Sequence, residues 1–183
     1  MKKIVIILLC LLFSHNNNFS GATQSITDRD LTNFVIANKV IDTESKYKLL
    51  LEKLGEHESR GNSRIVNQQG CMGIYQFKES TLRFLGYEVS LQEFRTNPEH
   101  FPEWQQHEAA LKFTKANKKL LQQIIDKYDG KVVNGIKITE TGILAAAALA
   151  GHGGVKKYFR KGLNSQDCYG TSIEDMLVRF ADV

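Results

Sequence analysis

Apolar and polar positions along this chain recur with the three- and four-residue spacing of helices far more than with the alternation of strands. Residues 4–13 are the exception, an unbroken apolar run behind Lys2 and Lys3 that gives way to a polar stretch over residues 14–20. Beyond it, Thr27 and Asp30 have the spacing of a capping box, and Leu31, Phe34 and Val35 follow at helical spacing. Asp42 or Thr43 is the expected start of a second helix, because Tyr47, Leu50, Leu51 and Leu54 keep the period into Gly55. Those four residues are expected in the core.

Residues 61–73 mix Gly, Asn, Ser and Gln without periodicity and predict a loop, with helix resuming near Lys78. From Glu103 to Tyr128 every residue is a good or neutral helix former, and Leu121, Ile124, Ile125 and Tyr128 form an apolar stripe that stops before Asp129 and Gly130. Asn134 and Gly135 between β-favouring neighbours predict a hairpin over residues 132–137. Residues 141–150 are almost entirely Ala, Leu and Ile, which predicts a helix buried on every side, ended by Gly151, Gly153 and Gly154. A closing helix is expected in the tail. The predicted fold class is mainly α, with one small β-hairpin.

The basic, apolar and small-residue order of the N-terminus, ending in Ser20, Gly21 and Ala22, predicts a secretory signal over residues 1–22. Its apolar run is about half of the ~20 residues that span a bilayer, so no stable membrane span is expected. Residues 23–183 then make a single domain of 161 residues with 22 basic and 20 acidic side chains, a net charge of +2. That balance lacks the concentrated basic character of a nucleic-acid binder, so nucleic acid is not an expected partner. The chain is expected outside the cytoplasm, periplasmic or extracellular.

Export leaves Cys71 and Cys168, which in an oxidising compartment either pair or stay as two separate thiols. The histidines are scattered, and Leu111 stands where a zinc helix beginning at His107-Glu108 would need its second histidine. Neither a metal nor another cofactor is expected.

The stretch from Glu56 to Gln76 carries the chemistry. It joins a helix-end carboxylate to a loop of amides and glycines, Glu56-His57-Glu58-Ser59-Arg60-Gly61-Asn62 and then Gly70-Cys71-Met72-Gly73-Ile74-Tyr75-Gln76. Amide side chains present donors and acceptors suited to sugar hydroxyl and acetamido groups. A carboxyl on a helix packed against an apolar core can be held protonated near neutral pH, which glycosidic cleavage requires.

In register, Glu58-Ser59, Asn62, Gly70, Gly73 and Gln76 resemble the signature of the soluble lytic transglycosylases, whose domain is lysozyme-like. A second block, residues 147–155, is similar to the family's Ala-Tyr-Asn-Ala-Gly-Pro-Gly motif, with Ala148 and Leu149 in place of Tyr and Asn and His152 in place of Pro. The two blocks cover about residues 50–159. The resemblance implies a lysozyme-like helical domain that cleaves the β-1,4 bond between N-acetylmuramic acid and N-acetylglucosamine in peptidoglycan. It implies Glu58 as the catalytic acid and base, and Ser59, Asn67, Tyr75 and Gln76 as the glycan-binding set. Tyr75 or Tyr158 is the candidate for the missing family tyrosine. Glu56 lies about 200° around the helix from Glu58 and cannot share its site. A 1,6-anhydro product is expected; the alternatives are a lysozyme-type hydrolase of the same bond and a non-catalytic wall-binding or assembly protein. Cleavage could serve wall turnover or open the wall for a secretion or conjugation machine.

Overall fold

No proline or glycine falls between Asp28 and Leu54, and the chain there is one helix, α1, Asp28–Ser59. A computed structural model describes residues 28–183; the expected signal and Thr27 lie outside them. The expected break at Asp42 and Thr43 does not occur. Both residues favour helix starts, but inside a run of good helix formers they cost only a few tenths of a kcal/mol each, too little to end it. Within the described residues, 28–39 and 40–183 belong to separate units. In the first, Leu31, Phe34, Val35 and Ile36 are exposed. In the second, the expected core residues Tyr47, Leu50, Leu51 and Leu54 are buried.

Short elements follow the loop after α1. Helix α2 is Glu79–Phe84, α3 is Leu91–Thr96, and a 3-10 turn covers Pro98–His100. Helix α3 starts on a capping box in which Ser90 accepts the Glu93 N–H while the Glu93 side chain accepts from the Ser90 backbone. Helix α4, Glu103–Tyr128, has the bounds the sequence predicts. The hairpin is also as expected: β1, Val132–Val133, pairs antiparallel with β2, Ile136–Lys137, and both turn residues Asn134 and Gly135 have positive φ. Among the described residues the fold is mainly helical with this one small sheet.

Helix α5, Glu140–Lys161, starts with the Thr139 side chain accepting the Gly142 N–H. Residues 141–147 are all buried, so the Ala-rich segment is the central helix. The expected stop at Gly151 is a kink instead. Gly151 takes φ 66° and ψ 167°, and helix resumes through His152, Gly153 and Gly154 to Lys161, where Gly162 in the left-handed region ends it. Glycine costs roughly 1 kcal/mol in a helix, and burial of Val155 and Tyr158 offsets that. The tail closes with α6, Ile173–Arg179, opened by a Ser172/Asp175 capping box. Gly142 sets the spacing of α5 and α6, since a Cβ there would sit 2.9 Å from the Leu177 carbonyl oxygen.

Candidate active site

Glu58 stands in the last turn of α1, where Arg60 and Gly61 adopt positive φ and turn the chain out of the helix. One turn earlier, Gly55 makes room for the neighbouring loop: a Cβ at Gly55 would meet Ile74 Cγ2 at 2.6 Å. The loop therefore lies against the helix beside the carboxyl. It is held together by paired bonds between Met72 and Phe77, 2.9 and 3.0 Å, and by Gly73 N–H donating to the Ile65 carbonyl at 2.8 Å.

Buried Gln106 of α4 fastens this loop. Its Oε1 accepts the Ile74 N–H at 2.7 Å, and its Nε2 donates to the carbonyls of Ser63 at 2.8 Å and Phe101 at 2.7 Å. Gly73, at φ 71°, backs directly onto the Gln106 side chain and leaves no space for a Cβ. The sequence reading passed over Gln106, because nothing in its own helix marks it.

A groove of roughly 730 Å³ opens over Glu58. Of the expected site residues, Glu58, Asn67, Tyr75 and Gln76 line it together. Ser59 does not; its Oγ donates to the Gly55 carbonyl at 3.3 Å inside the helix end. Tyr158 is also elsewhere, buried, with its hydroxyl donating to Glu174 Oε1 at 2.9 Å. Ala148, Leu149 and Gly151, at the kink of α5, form part of the wall, so the positions of the family's Tyr and Asn face the groove without a hydroxyl or amide.

Burial pushes the Glu58 carboxyl up to about 7, with the negative charge of Asp167 acting in the same direction. At neutral pH the group is thus divided between acid and carboxylate, as one that must both donate and accept a proton requires. Glu56 is exposed and outside the groove. Burial, with Glu52 and Glu103 nearby, raises the Tyr75 phenol to about 12, so it keeps its proton and forms a 2.8 Å hydrogen bond with His107 Nδ1. Gln76 takes φ 49° and donates from Nε2 to the Gly73 carbonyl at 2.8 Å, which leaves its carbonyl oxygen for a ligand.

Asn67 shapes its own turn, its Oδ1 accepting from the Gln69 and Cys71 N–H groups at 2.8 and 2.9 Å. The segment between α5 and α6 contributes Asp167, Cys168, Tyr169 and Thr171 to the same groove. Cys71 and Cys168 line the same groove as free thiols, the first buried and the second exposed. Among the described residues no group of three or more His, Cys, Asp or Glu is placed to hold a metal ion, and no helix is long and apolar enough to cross a membrane.

Residues 36–167 match the family model described as Transglycosylase SLT domain. No curated protein and no solved structure gives a significant match.

Proposed function

Because the chain belongs to the transglycosylase SLT domain family, whose activity is cleavage of cell-wall peptidoglycan, we propose that it is an exported lytic transglycosylase in which Glu58 is the acid and base. The observation that carries the reading is a carboxyl raised to about 7 in a groove lined by Asn67, Tyr75 and Gln76.

Glu58 donates its proton to the oxygen linking N-acetylmuramic acid to the next N-acetylglucosamine, and the C–O bond on the muramic side breaks. The acetamido oxygen of the same sugar stabilises the positive carbon, so a single protein carboxyl suffices. Glu58, now a carboxylate, takes the proton of the C6 hydroxyl, whose oxygen closes onto that carbon. The product end is a 1,6-anhydro sugar, no water is consumed, and Glu58 regains its proton. Asn67 and Gln76 orient hydroxyl and acetamido groups, while Tyr75, a neutral phenol lining the same groove, takes the place of the tyrosine missing at Ala148. Export before residue 23 delivers the enzyme to the wall, periplasmic or extracellular.

Ala148 and Leu149 favour a second reading, hydrolysis of the same bond. With no hydroxyl or amide at these two positions to guide the C6 hydroxyl, water would take its place as the nucleophile, as in a lysozyme. Mass spectrometry of muropeptides released from purified peptidoglycan separates the two. Ends lighter by one water are expected for ring closure; hydrolysed ends alone would overturn the transglycosylase reading in favour of the lysozyme.

A further inference from the structure

Two turns of the same construction line the groove. Residues 66–72 and 166–172 each begin and end in a single antiparallel bridge, Val66 with Met72 and Gln166 with Ser172. In each, the second residue bonds its backbone N–H to the carbonyl of the sixth, Asn67 to Cys71 at 3.0 Å and Asp167 to Thr171 at 2.9 Å. In each, a glycine at the fifth place has positive φ, 74° at Gly70 and 87° at Gly170. The side-chain Oδ1 of the second residue accepts two backbone N–H groups in both, at 2.8 and 2.9 Å from Gln69 and Cys71, and at 2.8 and 2.9 Å from Tyr169 and Thr171.

The turn therefore needs one oxygen at this place and no charge. Asn67 meets that need with an amide; Asp167 meets it with a carboxylate, whose Oδ2 the turn does not use. Asp167 is half-buried, lines the same groove as Glu58, and has no salt-bridge partner among the described residues. Its charge is surplus to the turn and lies on the groove that Glu58 lines.

We propose that Asp167 is a positioning residue of the catalytic centre, whose carboxylate holds the proton on Glu58 in the resting enzyme. This rests on Glu58 being the acid. A negative charge close to a carboxyl in a shielded groove disfavours its ionisation, and the Asp167 charge adds to burial in raising Glu58. The other titratable groups around the groove do not supply this charge. His57 is kept below its ordinary value by burial and by Arg179, whose Nη1 lies 3.1 Å from its Nδ1, against an opposing pull from Asp167 itself, and an imidazole supplies no negative charge. Tyr75 is a neutral phenol, Lys78 carries the opposite sign, and Cys71, Cys168 and Tyr169 complete the set. Helices α4 and α5 present only Ala110, Phe113, Thr114, Ala148, Leu149 and Gly151, none of which titrates.

The test is Asp167→Asn in the whole protein, a change that Asn67 shows this turn to accept. Glu58 would be titrated in both proteins by carbon NMR of labelled glutamate side chains, and peptidoglycan lysis followed across pH. Glu58 should lose its proton at lower pH in the variant, and the decline of lysis with rising pH should move the same way, with little change at acid pH. Coincident Glu58 titrations would overturn the proposal, as would an equal loss of lysis at every pH or a variant that fails to fold. The NMR readout is independent of catalysis. A shifted titration in a protein whose lysis does not depend on Glu58 would leave Asp167's effect standing and remove the functional reading instead.

Discussion

Gln106 Oε1 accepts the backbone N–H of Ile74 at 2.7 Å, a bond between α4 and the loop bearing Tyr75 and Gln76. With the two bonds from Nε2, one buried side chain fixes the loop at Ser63 and Ile74 and the entry to α4 at Phe101. Gln106→Ala would leave one N–H and two carbonyls without this partner. At about 1 kcal/mol for each bond, more where the group stays dry, the loss is roughly 3 kcal/mol. Urea denaturation should show it, with exposed Gln123→Ala within about 0.5 kcal/mol of wild type. Equal stability of the two variants would contradict the role given to Gln106.

Glu58 should make the fold less stable in alkali. Its native value of about 7 lies above the ordinary 4.5, so the native state binds more protons than the unfolded chain between these values. Stability contributed by this group is therefore fully present below about pH 4.5 and is lost as pH rises through about 7. The shift corresponds to something on the order of 2 to 3 kcal/mol. Glu58→Gln cannot ionise and should exceed wild type in stability by that order at pH 8, with the difference closing near pH 4. Parallel stability curves would mean that the carboxyl is not desolvated.

The two thiols should react unequally. Cys168 is exposed on the groove turn, whereas Cys71 is 9% exposed. A bulky maleimide should label Cys168 first and suppress lysis by filling the groove, and Cys168→Ser should make lysis insensitive to the reagent. Peptide mapping with an activity assay decides this; full lysis by the labelled protein would show that the turn does not border the substrate.

What the residues revealed in advance was what depends on near neighbours. Helix α4 and the hairpin follow from propensity and from the Asn134-Gly135 pair, and both stand where the pattern predicts. Break signals were less dependable. Asp42 and Thr43 can cap a helix but need not stop one, and Gly151 bends α5 while the burial of Val155 and Tyr158 continues it.

In the groove, Glu58, Asn67, Tyr75 and Gln76 were implied by the family resemblance and line it, whereas Ser59 and Tyr158, expected with them, do not. Gln106 and Asp167 escaped notice because their importance depends on partners distant in sequence, Gln106 meeting Ser63 43 residues away. A local sign of Asp167 was present nonetheless. Asp167-Cys168-Tyr169-Gly170 repeats the polar residue and glycine of Asn67-Gln68-Gln69-Gly70 at the same spacing.

The central claim is that the Glu58 proton is the one delivered to the glycosidic oxygen. The direct measurement is the rate of peptidoglycan digestion by Glu58→Gln beside wild type and Glu56→Gln, with folding verified by circular dichroism. The glutamine keeps the size of the side chain and removes its acidity, so digestion should fall by about 10²- to 10⁴-fold. Glu56 is exposed and outside the groove, so Glu56→Gln should digest at close to the wild-type rate. Digestion by a folded Glu58→Gln protein at the wild-type rate would contradict the account.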